Sequence, residues 1–242
     1  METSKLLKKS IFLSIIVILV MAVIFIIVKY EVEGEKQLPY YISKMLLIST
    51  VDGEKIEDEE NIWNINISQI NDLYIYIDSA NTTKETIDQI TIENFTINKN
   101  PEKGDIKIYR PTGDLNNLYT YSEQNYLNEQ IIYTGSVIDD LKSLEIANTG
   151  GVIGFRIALQ NLGSYISNDE TEVIYDGNLL SNLDITIEEV KLDISFDIII
   201  KTSDNVSFKG TINLNTPIST IIDQGSSNME ITDFENIVFK RI

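Results

Sequence analysis

The sequence predicts a mainly β protein. The expected fold is an antiparallel β-sandwich, jelly-roll or immunoglobulin-like, preceded by one transmembrane helix. Three observations carry this. An apolar run opens the chain, a period of two replaces the helical 3.6 after it, and strand-like segments recur with Gly, Asn and Asp between them.

The helix comes first. From Ile11 to Val28 every position is apolar except Ser14. At about 1.5 Å per residue, 18 such residues reach roughly 27 Å, close to the ~30 Å hydrocarbon core of a bilayer. A cleavable signal peptide has a shorter apolar region and small residues at its cut site. This run exits through Val28-Lys29-Tyr30-Glu31-Val32-Glu33, and no cysteine exists to carry a lipid. An uncleaved anchor spanning the lipid bilayer through residues 11–28 follows. Lys5, Lys8 and Lys9 precede the run, opposed only by Glu2, whereas Glu31, Glu33 and Glu35 follow it. Positive flanks stay inside, so residues 1–10 are expected in the cytoplasm and the remainder outside the cell membrane. Residues 29–37 form a short spacer, and 38–242 the extracytoplasmic sandwich.

Alternation then predicts strands in order. Tyr41–Val51 is the first. In "WNINISQI", Trp63, Ile65 and Ile67 share a face, and "DLYIYID" follows it. In "IDQITIENFTI", Ile90 and Ile92 share a face. "DIKIYRP" stops at Pro111, and "QIIYTG", "GVIGFRIALQ" and "TEVIYDG" come next. The clearest strand is Val190–Lys201, with Val190, Leu192, Ile194, Phe196, Ile198 and Ile200 on one side. "SDN" at 203–205 turns it into Val206, Phe208, Ile212 and Leu214, with Gly210 marking a bulge. "NIVFKRI" makes the last strand. Helix candidates outside the membrane are 121–130, 136–144 (capped by Ser136 with Asp139) and 217–225.

Composition limits the chemistry. With 19 basic and 37 acidic residues the net charge is −18, which argues against nucleic acid as a partner. Histidine and cysteine are both absent. This excludes Ser-His-Asp and Cys-His catalysis, thiol nucleophiles and structural zinc, and it leaves the sandwich without disulfides. Four Asn-x-Ser/Thr triplets, at Asn66, Asn81, Asn94 and Asn205, are what an Asn-rich chain contains by chance. No catalytic residue, metal ligand or cofactor is expected, and the chain is read as a non-enzyme.

Three constellations remain. "NTGGVIGFRIAL" is not a phosphate loop, because a strand rather than a helix follows the glycines. It places Arg156 on the face of Val152, Gly154 and Ala158. There it either grips a ligand carboxylate in bidentate fashion or pairs across strands with an aspartate such as Asp193 or Asp197. "YRPTGDLNNLYTYSEQNYLNEQIIY" gathers Tyr109, Tyr119, Tyr121, Tyr126 and Tyr133 among amides. Either Tyr119, Tyr121 and Tyr126 offer ring faces to a sugar or peptide, or the tyrosines pin a long loop to the sandwich. "DGEKIEDEEN", residues 52–61, reads as a solvated acidic loop. It lacks EF-hand spacing, although clustered carboxylates also suit Ca²⁺.

The segments "YEVEGEKQLP", "VDGEKIEDEENIW", "GGVIGFR", "YDGNLLS" and "TDFENIVFKR" together resemble a group of uncharacterised single-pass, membrane-anchored extracytoplasmic proteins of low-GC Gram-positive bacteria. That group has no assigned activity, so the resemblance implies an envelope location and adds no chemistry. The expected function is a membrane-tethered module that binds or scaffolds an envelope protein, with a glycan as the alternative partner.

Overall fold

The computed structural model describes residues 2–59, 62–80, 83–112, 120–136, 144–167, 178–216, 220–234 and 236–242. Helix α1 (Glu2–Glu33) is followed by β1 (Tyr40–Glu59), β2 (Ile62–Ser79), β3 (Ile87–Lys99), β4 (Asp105–Tyr109), β5 (Ile131–Ser136), β6 (Glu145–Ala147) and β7 (Gly150–Ser167). Two helical turns come next, α2 (Asn178–Ser181) and α3 (Ile187–Val190), then β8 (Leu192–Thr202) and β9 (Ser207–Thr216). The chain closes with α4 (Thr220–Gln224), β10 (Ser226–Ile231) and β11 (Lys240–Arg241).

α1 has mean hydropathy 3.6 over its apolar stretch, and none of that stretch is buried by the rest of the protein. A core helix of a soluble domain would be covered, so this helix is one suited to lipid. Ser14, its polar exception, donates back to the Ser10 carbonyl at 3.0 Å, which satisfies the hydroxyl without water.

The strands form a five-stranded sheet, β10-β1-β2-β7-β4, and a six-stranded sheet, β11-β9-β8-β3-β5-β6. All neighbours are antiparallel except β5 and β6. Within this arrangement, β1-β2-β7-β4 and β9-β8-β3 reproduce the ABED and GFC strand order of the immunoglobulin sandwich. Of the two expected sandwich types, that order selects the immunoglobulin-like one. β5, β6, β10 and β11 extend its edges. The centre holds no disulfide. Phe155 of the first sheet instead meets Phe95 and Phe196 of the second edge-to-face, with ring centroids 5.3 and 5.2 Å away.

Alternation places the core. Ile90, Ile92, Leu192, Ile194, Phe196, Ile198, Ile200, Phe208, Ile212 and Leu214 are all buried, as their period implies. Several local expectations do not hold. Residues 121–130 form no helix. Their backbone serves the free edge of β4 instead: Tyr126 N–H donates to the Ile108 carbonyl at 2.8 Å and Ser122 N–H to that of Arg110 at 2.9 Å. The acidic loop at 52–61 is largely strand, because β1 continues to Glu59. In the ladder Glu54 pairs with Asn66, and the backbone of Glu57 pairs with that of Asn64. Gly210 makes no bulge, since β8 and β9 pair through it in register. It leaves room for the Phe239 ring, which a Cβ would meet at 3.0 Å. Val190 belongs to α3 rather than to β8. Of the helix expected at 217–225, residues 220–224 form α4, and 217–219 lie outside the described residues. The strand expected at 171–177, and residues 137–143 of the middle helix candidate, lie outside the described residues.

Tyr133 ties the two sheets together. β4 covers β7 only from Arg156 to Gln160, so the backbone of Gly154 has no strand on that side. The buried Tyr133 hydroxyl donates to the Gly154 carbonyl and accepts its N–H at 3.2 Å. Burial pushes this hydroxyl up to about 12, against the opposing effects of the Gly154 hydrogen bond and the charge of Arg110. Unfolded tyrosine titrates near pH 10. The stabilisation is therefore whole below about pH 10 and is lost as the pH climbs towards 12, some 2–3 kcal/mol by linkage. Tyr133→Phe is expected to cost about 1–3 kcal/mol at neutral pH, since it orphans two buried backbone groups. Urea unfolding at pH 8 and pH 11 checks both points, and the loss between them should shrink in the variant.

Candidate functional site

The outer face of the five-stranded sheet carries the site. On β2, Leu73, Ile75 and Ile77 point into the core, which leaves Asp72, Tyr74 and Tyr76 outside. On β7, Ile153, Phe155 and Ile157 point in, which leaves Arg156 outside. Antiparallel register sets Asp72 directly opposite Arg156 on one flank and Tyr109 opposite it on the other.

The pairing is bidentate. Arg156 Nε lies 2.7 Å from Asp72 Oδ1 and Nη2 lies 2.8 Å from Oδ2. Only 22 % of the Arg156 side chain and 13 % of that of Asp72 remain exposed. The guanidinium also sits 4.0 Å from the centroid of the Tyr121 ring. A half-buried cation between a carboxylate and an aromatic face is held by all three effects. Burial works against the Arg156 charge, but the Asp72 hydrogen bonds and charge outweigh it and strengthen protonation. Burial, reinforced by Asp72 and Tyr74, raises the Tyr121 hydroxyl far above its ordinary range despite the nearby guanidinium. Tyr121 thus keeps its proton and acts as a ring and a donor, not as a base.

Beside this cluster runs a cleft of about 290 Å³. Ser68, Ile70, Ala158 and Gln160 line it from β2 and β7, Asp52 and Glu54 from β1, and Tyr109, Tyr121, Ser122 and Glu123 from β4 and the segment after it. Arg156 also lines it, but its charge is already matched by Asp72, which does not line the cleft. The electrostatic character of the lining is therefore acidic. Among the described residues, no group of three or more acidic side chains is close enough to hold a metal ion.

The expected site residues separate in three dimensions. Arg156 and Tyr121 come together. Asp193 and Asp197 are on the other sheet, and Asp197 is held there by Lys209 at 2.8 Å. Tyr126 offers no ring to a ligand. It is 7 % exposed, its hydroxyl is 3.4 Å from Gln124 Oε1, and Arg110 lies over its ring. Its backbone bond to β4 turns it inward. Tyr119 lies outside the described residues. Sequence reasoning missed Asp72 and Glu123, and it read Asp52 and Glu54 as part of a solvated acidic loop rather than as cleft walls. The signal for Asp72 was present in "DLYIYID", whose alternation puts it on the outer face; the strand opposite it was not legible.

No protein-family model, curated protein or solved structure matches the chain.

Proposed function

We propose that this chain is a membrane-tethered, extracytoplasmic binding module of a bacterial cell envelope, which engages a partner protein through the cleft beside Arg156. The observation that carries the reading is the cleft's composition. Its floor contributes Ile70 and Ala158, its walls contribute Asp52, Glu54 and Glu123, and its single cation is neutralised from behind by Asp72. An extended segment bearing a lysine side chain suits such a lining, with methylenes on the floor and an ammonium group between the walls. Lysines before the apolar helix and glutamates after it support an outward-facing domain. From Tyr40 at the start of β1 to Ile48, opposite Asp72, is eight strand residues, so the Asp72–Arg156 pair lies about 27 Å along the strand from its helix-proximal end at ~3.4 Å per residue.

The absence of cysteine makes the test simple. Gln160→Cys supplies one thiol at the cleft, which a membrane-impermeant maleimide–diazirine reagent can modify on intact cells. Modification followed by capture of one defined protein is the expected result. Glu54→Lys combined with Glu123→Lys should weaken capture about tenfold, equivalent to ~1.4 kcal/mol. A thiol that stays unmodified until the cells are lysed would overturn the outward location. Capture indifferent to the charge reversals would overturn the cleft reading. The rings of Tyr109 and Tyr121, beside Ser68, Ser122 and Gln160, favour a glycan as the second reading. Binding on a glycan array that Tyr121→Ala abolishes would establish it in place of the first.

A further inference from the structure

We infer that the last strand is a clamp that locks the sandwich at one orientation on its transmembrane helix. The sequence reads residues 29–37 as a plain spacer, and a polar segment of that length would ordinarily let a domain swing. Every part of it near the helix is instead held. α1 continues past the apolar run to Glu33 and ends at Gly34, whose N–H donates to the Tyr30 carbonyl at 2.8 Å. Gly34 has φ +69°, and a Cβ there would lie 2.3 Å from the Phe239 carbonyl oxygen and 2.7 Å from Val238 Cγ1. Glycine is required both by the backbone angle and by the close approach of the last segment.

That segment grips the helix end at three further points. Glu35 N–H donates to the Phe239 carbonyl at 2.7 Å, Arg241 N–H donates to the Tyr30 hydroxyl at 2.8 Å, and Lys240 forms an ion pair with Glu31. Its other side belongs to the sandwich. Phe239 is buried, β11 pairs Lys240 with Lys209 and Arg241 with Phe208, and Ile242 N–H donates to the Ser207 carbonyl at 2.9 Å. One short strand is thus bonded to the anchor on one edge and to β9 on the other. The helix, the spacer and the sheets move as a unit, so the outer face of the five-stranded sheet is presented at a set height and azimuth above the bilayer.

Double electron–electron resonance on the full chain in lipid nanodiscs tests this. Nitroxides on Ile18→Cys in the helix and Asn213→Cys on β9 report the distance between anchor and domain. A single narrow distance distribution is expected for the otherwise unaltered chain. Gly34→Val should lose it in favour of a broad one, with faster trypsin cleavage at Lys36 and an unchanged thermal transition of the sandwich. Lys240→Glu should broaden it as well, and adding Glu31→Lys should restore the narrow peak. If Gly34→Val fails to fold, the charge-swap series decides. A broad distribution in the unaltered chain overturns the clamp, as does one that stays narrow through Lys240→Glu.

Discussion

Phe155→Ala is expected to destabilise the sandwich by about 4 kcal/mol, the largest loss of any single truncation considered for this protein. Phe155 is fully buried and is the one ring of the central trio contributed by the five-stranded sheet. Phe95 meets it at an interplanar angle of 70° and Phe196 at 89°, so both contacts present a ring edge to a ring face. Each such contact adds about 0.5–1.5 kcal/mol to the area buried, and both vanish together in the variant. The sheets are fixed by their own ladders and cannot collapse into the gap, so a cavity cost is added to the transfer cost. For a domain of this size the thermal midpoint should fall roughly 10 °C. Phe155→Leu, which fills much of the volume, should lose less than half as much. Equilibrium unfolding in urea measures both, and equal losses for the two variants would show that the cavity contributes nothing and the ring contacts carry the whole effect.

The second large effect is at Asn71, which lies directly behind the candidate site. Asn71 is fully buried on the inner face of β2, and its carboxamide holds three groups. Its Oδ1 accepts from Ser49 Oγ at 2.6 Å and from Gln69 Nε2 at 3.0 Å, and its Nδ2 donates to the Ile157 carbonyl at 3.1 Å. Asn71→Ala removes all three partners at once and is expected to cost about 3 kcal/mol, because each orphaned group keeps its desolvation penalty. Asn71→Leu combined with Ser49→Ala and Gln69→Leu removes the polar groups together. It should recover most of the loss. The network also guards register. Ser49, Asn71 and Ile157 are neighbours in sequence of Ile48, Asp72 and Arg156, and a slip of one residue would exchange the inner and outer rows. The fully apolar variant should thus be stable yet poorer at holding the Tyr121 ring over Arg156, which near-ultraviolet circular dichroism of the tyrosines reads. Retention of the native tyrosine signal in that variant would argue against the register role.

Much of this fold is legible in the sequence because burial leaves a local mark. β8 alternates from Leu192 to Thr202 with hardly a break, and its structure alternates buried and half-buried side chains in the same rhythm. Where the mark fails, a distant partner has overridden local preference. Residues 121–130 have a helical composition, yet the open edge of β4 takes their backbone bonds. Residues 52–59 look like a loop, yet β2 offers them a ladder lined with asparagines. Tyr121 and Tyr126 stand five residues apart in the same kind of sequence. One lies against Arg156 beside a cleft and the other is sealed into the core, because the segment folds over β4 between them.

The apolar run, the lysines before it and the strand alternation after it were determined by the sequence alone, since each rests on neighbours within a few turns or strand residues. The meaning of Arg156 was not. Its alternation placed it on an outer face, but its partner is Asp72, 84 residues earlier. Only the order of strands and their register bring those two together, and both are set by the summed burial of two whole sheets rather than by any residue near Arg156.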